Sequence, residues 1–206
     1  MLRFDPTPEA VEGRDDQRFI LYVEGPRDRS ILRAWSYRLL PSRARRLFRG
    51  SVILGGRRPL RAVEHFRIER SAEAGARGLC VLDRDDGAGS RPPEGGEPGL
   101  EFFTWTRRHI ESYLLVPEAT QRALGLPAAD VRIERVLREH LPPAAGEQVF
   151  RDVDAKRLLG PKGALARALG RPLPLSRIAR LTREAELHAD VHALFARLRG
   201  QLAPRP

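Results

Sequence analysis

Apolar positions fall into short unbroken runs in the first half of the chain and into helical stripes in the second. Residues 18–24, Ser51-Val52-Ile53-Leu54, Leu79-Cys80-Val81-Leu82 and 100–105 read as strands. Runs this short, bounded by glycine or charge, suit strands buried on both faces. Between the first two, Asp28 can cap a helix with Ile31, Leu32, Trp35 and Leu39 on its apolar face, ending before Pro41. A second helix, about 59–73, is expected to turn Leu60, Val63, Phe66 and Ile68 inward. From Pro117 the period is helical, over 117–124, 128–140, 152–159, 162–169 and one long helix from about 176 to 200.

Strands alternating with helices predict an α/β fold, a mostly parallel sheet flanked by helices, with right-handed crossovers and a helical C-terminal extension. Three divisions follow: a polar lead-in over 1–17, an α/β core over 18–116, and a helical part over 117–206 packing on that core. Residues 87–99 are rich in glycine, proline and glutamate, a composition that excludes regular structure and suits an exposed loop beside whatever lies at residues 83–86.

Acidic residues punctuate the strands. Glu24 closes the first, Asp83-Arg84-Asp85-Asp86 closes the third, and Glu111 follows the fourth. Strand ends of an open α/β sheet converge on one edge, where such folds place their sites. Carboxylates gathered there repel one another unless a cation lies between them, and oxygen ligands suit Mg²⁺ or Mn²⁺. Asp83 and Asp85 are two apart, a spacing that can turn both toward one ion. Each also has a structural alternative: a turn-capping cluster for Asp83 and Asp85, a helix cap for Asp28, an arginine-paired carboxylate for Glu111.

Composition narrows the setting. The chain has 206 residues, 41% hydrophobic and 31% charged, enough for a substantial core. No stretch approaches a membrane span, and the N-terminus lacks the apolar core of a signal peptide. Cys80 is the only cysteine, which excludes an intrachain disulfide and a cysteine zinc site and predicts the cytoplasm. The net charge of +10 favours a polyanionic partner, most often nucleic acid. Arginine supplies nearly all of it; Lys156 and Lys162 are the only lysines, Lys156 reading as a surface position on a helix. The five histidines form no ligand pair on the sheet core, and His188 with His192 reads as a surface pair on the last helix.

Four segments in order resemble a known family. Ile20-Leu21-Tyr22-Val23-Glu24-Gly25-Pro26-Arg27-Asp28 resembles the opening motif of the Toprim domain, and Leu79-Cys80-Val81-Leu82-Asp83-Arg84-Asp85 its Asp-x-Asp motif. Arg107-Arg108-His109-Ile110-Glu111-Ser112-Tyr113-Leu114-Leu115 is similar to a segment of OLD-family Toprim proteins of the DUF4435 type, with Ser112 where that pattern has asparagine. Leu158-Leu159-Gly160-Pro161-Lys162-Gly163-Ala164-Leu165 resembles their Gly-Lys segment, with Pro161 inserted. The resemblance spans roughly 18–170. It implies a Toprim-like Rossmannoid core and a metal-dependent nuclease cleaving DNA or RNA. Glu24, Asp28, Asp83, Asp85 and Glu111 would be its ligands for one or two Mg²⁺ or Mn²⁺ ions, Glu24 also its acid/base group, and Lys162 its charge stabiliser. It further implies an anti-phage role beside a separate ABC- or AAA-type ATPase, since this chain has no phosphate-binding Gly-x-x-x-x-Gly-Lys loop, and it is compatible with a homo-oligomer.

Other classes fit less well. A topoisomerase needs an active tyrosine from another domain, and Tyr22, Tyr37 and Tyr113 all lie in the core. Primase accessory regions exceed this length. A receiver module has paired acids at the first strand and one at the third, the reverse of this chain. A non-catalytic subunit binding nucleic acid or an ATPase stays open.

Overall fold

The computed structural model describes residues 18–84, 96–141 and 146–203. The lead-in 1–17, Asp85, Asp86 and most of the 87–99 loop lie outside the described residues. Four strands, β1 (Phe19–Val23), β2 (Val52–Ile53), β3 (Arg77–Leu82) and β4 (Leu100–Thr104), form one sheet in the order β2-β1-β3-β4. Every pairing is parallel, with Tyr22 opposite Val52, Val23 opposite Val81 and Val81 opposite Phe103. The chain is α/β with a parallel sheet flanked by helices, as the alternation of runs and stripes predicts.

Helices α1 (Pro26–Leu39), α2 (Ala44–Arg49) and α3 (Pro59–Ala72) carry the crossovers. One sheet face, through Ile20, Tyr22, Cys80 and Leu82, packs against Ala62, Val63 and Phe66 of α3. The other, through Leu21, Val23, Leu79 and Val81, shares a larger core with α1 and the C-terminal helices. These are α4 (Pro117–Leu124), α5 (Arg132–His140), α6 (Gly146–Asp152), α7 (Ala155–Leu159), α8 (Ala164–Leu169), α9 (Leu175–Leu181) and α10 (Ala189–Gln201). Aromatic rings centre that core: Trp105 meets Trp35, Phe103 and Tyr113 at centroid distances of 6.4, 5.0 and 4.8 Å. Such pairs add to the area they bury. Among the described residues no helix is long and apolar enough to cross a membrane.

Local expectations are corrected in three places. The buried stripe of α3 is Pro59, Ala62, Val63 and Phe66, while Leu60 and Ile68 are 63% and 70% exposed. Positions 59, 62, 63 and 66 share one helical face, and neither 60 nor 68 lies on it. Asp28 is not the N-cap of α1; Gly25 is, Pro26 opens the helix, and Asp28 sits within its first turn. The long C-terminal helix is two helices, α9 and α10. The Thr182 hydroxyl bonds back to the Ile178 carbonyl, and His188 Nδ1 accepts from the Asp190 N–H to start α10 anew. Local side-chain bonds of this kind compete with continuation of a helix.

Candidate active site

The strand order reverses between β1 and β3. From β1 the chain crosses to β2 on one side, then returns through α3 to β3 on the other. A crevice opens at the carboxyl ends of the strands flanking such a reversal, because the two connections leave in opposite directions. Glu24 is the residue after β1 and Asp83 the residue after β3. Glu24 Oε1 accepts a 2.7 Å hydrogen bond from the Asp83 backbone N–H.

The turn after β2 closes over this pair. Gly55 and Gly56 both donate to the Glu24 carbonyl, at 3.0 and 2.9 Å, with φ of +76° and +116°. Those left-handed values favour glycine at both positions. The turn delivers Arg57, which donates Nη1 to the Asp83 carbonyl and stands 3.7 Å from Glu24 Oε1.

Asp83 is 7% exposed, and its side chain is satisfied from three directions. Oδ1 accepts from the Ile110 N–H at 2.9 Å; Oδ2 lies 3.3 Å from His109 Nδ1 and 3.0 Å from Lys156 Nζ. Burial opposes its ionisation, but the bonds and charge of His109, Lys156 and Ile110 prevail and hold the carboxyl below the ordinary aspartate range. Lys156 is affected in the complementary sense. Burial disfavours its ammonium, yet Asp83, Glu111 and Asp28 outweigh that and raise its pKa.

Two further acids complete the cluster. Glu111, in the short 3₁₀ turn Ile110–Leu114, is 2% exposed; Oε1 lies 3.3 Å from Arg27 Nη1 and Oε2 is buried without a hydrogen-bond partner. Asp28 is half-buried, and burial, followed by the charges of Asp83 and Glu111, pushes its pKa up to about 7. Glu24 is also raised, by burial first and then by Asp83. Carboxylates that lift one another in this way are under mutual repulsion, which a cation relieves.

A hard divalent ion fits this donor set in chemistry. Every acidic donor is a carboxylate oxygen, and Glu111 Oε2 lacks the partner that a buried oxygen requires. Among the described residues, however, no three His, Cys, Asp or Glu side chains already converge as a metal-holding group. Asp83 is engaged by Lys156 and His109, Glu24 by the Asp83 N–H, and Asp85 lies outside the described residues.

Of the residues singled out from sequence, Glu24, Asp28, Asp83 and Glu111 are brought into one electrostatic cluster. Both lysines are exposed, as a surface reading of Lys156 expects, but they stand differently toward the carboxylates. Lys156 reaches Asp83, whereas Lys162 lies in the turn between α7 and α8. Both line a cavity of about 800 Å³ with Arg157, Arg167, His140 and Asp154. His109, Arg57 and Arg27 also stand at the site. His109 could have been marked by its position two residues before Glu111, on the same motif. Lys156 carried one signal, its rarity in an arginine-rich chain. Arg57 and Arg27 carried none. His188 and His192 are not a metal pair: His188 caps α10, and its Nε2 lies 3.5 Å from Glu147.

No protein-family model and no curated protein matches the chain. Among solved structures, it is similar to the C-terminal region of the OLD protein of Xanthomonas campestris pv. campestris. The TM-score is 0.47 at 16% identity, covering 91% of this chain and 96% of that one. The C-terminal region of the Burkholderia pseudomallei OLD protein gives 0.47 at 15%, covering 91% and 99%.

Proposed function

We propose that the chain is a nuclease that cleaves nucleic-acid phosphodiester bonds with the help of Mg²⁺ or Mn²⁺. One observation carries this reading: Glu24 and Asp83 end adjacent strands at the reversal of strand order, hydrogen-bonded to each other, with Asp28, Glu111 and Lys156 in the same field. The motif resemblance to OLD-family Toprim nucleases points to the same four acids, Glu24, Asp28, Asp83 and Glu111.

Asp83, Glu111 and Asp28, together with Glu24 and Asp85, would hold one or two ions. A bound ion supplies a water made acidic enough to attack at neutral pH, and polarises the phosphoryl oxygen. The side chains do the rest. His109 and the Ile110 N–H fix the Asp83 carboxylate in orientation. Glu24, its pKa raised, is suited to exchange a proton with the displaced oxygen. Lys156 offers a charge near the scissile phosphate, a role that the family resemblance assigns to Lys162. Lys162, on the rim of the same cavity, would contact substrate phosphate. On the resemblance alone, the chain would serve anti-phage defence beside a separate ATPase.

The test is incubation of the purified protein with plasmid, single-stranded DNA and tRNA, in Mn²⁺ or EDTA. Cleavage in Mn²⁺ that stops in EDTA and in Glu24→Gln and Asp83→Ala is expected. Cleavage surviving both substitutions would remove this site from the reaction; binding without cleavage would make the chain a non-catalytic subunit.

A further inference from the structure

Several arginines of the described residues are paired with carboxylates. Arg107 meets Glu147, Arg122 meets Glu186, Arg84 meets Asp152, and Arg67 and Arg70 share Glu97. Others gather without one. Between α1 and α9, which pack together, a groove of about 620 Å³ is lined by Arg33, Arg177 and Arg180 and by no carboxylate. Tyr37 projects among them, 40% exposed. The Arg33 and Arg180 guanidinium carbons lie 5.9 and 5.5 Å from its ring centroid, and Arg33 Nε donates to its hydroxyl at 3.2 Å.

Three like charges lining one groove repel one another, and Tyr37 among them keeps 40% of its surface in water. Both penalties are removed by a ligand that is anionic and carries flat rings. Arginine planes and tyrosine rings are stacking surfaces for unpaired bases, and the same guanidinium groups meet phosphate.

The groove does not end at Tyr37. Ser30 and Ser176 line both it and a neighbouring hollow of about 380 Å³, which also contains Arg27 and Pro161 and has no acidic lining residue. Pro161 in turn lines the cavity of Lys156 and Lys162. Shared lining residues link the three hollows into a series. It reaches the acidic cluster at two points, through Arg27 on Glu111 and Lys156 on Asp83. Ten residues of α1 separate Arg27 from Tyr37, a rise of about 15 Å. A backbone could span that distance while one end stays at the carboxylates.

We propose that a single nucleic-acid strand lies along this series, with an unpaired base stacked at Tyr37 between Arg33 and Arg180. Its backbone would pass Ser30 and Arg27 into the cavity of Lys156 and Lys162. The inference deepens the nuclease reading and rests on it for the strand's destination: the enzyme engages single strands, or single-stranded ends, beyond the point of cleavage. A duplex keeps its bases stacked inside and cannot present one to Tyr37.

Binding is measured in EDTA, where no cleavage occurs, by fluorescence anisotropy of a labelled 12-nucleotide DNA, its RNA counterpart and the matching duplexes. Tyr37→Ala should weaken single-strand binding about tenfold while changing duplex binding less than twofold, and Tyr37→Phe should restore it. Arg177→Ala and Arg180→Ala should each weaken binding and flatten its salt dependence by about one phosphate. Circular dichroism of each variant checks folding, which an exposed tyrosine does not govern. Single-strand binding indifferent to Tyr37, Arg177 and Arg180 would overturn the proposal, as would equal loss for strand and duplex in Tyr37→Ala. Tyr37-dependent binding without Mn²⁺ cleavage would keep the strand's path and remove the nuclease reading. Cleavage with Tyr37-independent binding would do the reverse.

Discussion

Glu24 and Asp83 are joined by the hydrogen bond from the Asp83 N–H to Glu24 Oε1, 2.7 Å long, across the gap between two adjacent parallel strands. The bond makes Glu24 both a structural acceptor and a charge, and substitutions can separate the two. Glu24→Gln keeps an oxygen for the N–H and removes the charge. It should keep the wild-type melting temperature within about 2 °C while cleavage falls at least about a hundredfold. Glu24→Ala abandons the N–H as well, adding a stability loss of about 1–3 kcal/mol. Thermal melts beside single-turnover cleavage check this; equal destabilisation by both would deny Glu24 its acceptor role.

The two lysines give a second comparison. Lys156 Nζ is 3.0 Å from Asp83 Oδ2, while Lys162 is exposed at the rim of the shared cavity. Lys156→Ala should lower kcat about 10²–10³-fold, the scale for losing one charge stabiliser. Its ammonium is half-exposed, so stability should change by less than about 1 kcal/mol. Lys162→Ala should raise KM several-fold and spare kcat. Steady-state rates on a fluorogenic oligonucleotide distinguish them, and the opposite pattern would return the charge-stabilising role to Lys162.

These contacts also show where sequence reading stops. The strands were legible because Ile20–Val23 and Leu79–Leu82 are continuous apolar runs, and the strand-end acids because Glu24 and Asp83 interrupt those runs abruptly. Lys156 was not legible. It lies 73 residues from Asp83, on a five-residue helix whose periodicity says nothing about which strand end it faces. Arg57 belongs to a turn whose path is set by two positive-φ glycines rather than by hydrophobic pattern. The break between α9 and α10 did leave a trace, because the buried Ile178 and Ala179 of α9 and Val191, Leu194 and Leu198 of α10 would fall on nearly opposite sides of one continuous helix.

Asp28 tests the electrostatics of the cluster. With burial first, and then Asp83, Glu111 and Glu24, raising its pKa, its charge strains the protein without an ion. Asp28→Asn should raise the melting temperature in EDTA at pH 8 by about 2–5 °C, corresponding to roughly 1 kcal/mol or slightly more. If Asp28 helps to hold the ion, added Mn²⁺ should stabilise the wild type and the variant unequally, with the wild type gaining more. A variant less stable than wild type in EDTA would contradict the repulsion.

Asp190 supplies a pH dependence remote from the carboxylate cluster yet coupled to it. In the first turn of α10, its carboxylate accepts from the Thr106 N–H at 3.2 Å, from the Thr106 hydroxyl and from the Tyr113 hydroxyl. Burial opposes ionisation, but those bonds dominate and hold its pKa below the ordinary 3.8. A depressed carboxyl contributes stability above its unfolded value, and that contribution disappears as pH falls through the folded value. Asp190→Asn should therefore cost about 1 kcal/mol at pH 7 and progressively less below pH 4, read as the difference in urea midpoints. Thr106 and Tyr113 bracket the segment that brings His109, Ile110 and Glu111 to Asp83, so loosening this clamp should also weaken Mn²⁺ binding by calorimetry. A stability gap that widened on acidification would show that the carboxylate is not ionised in the folded protein.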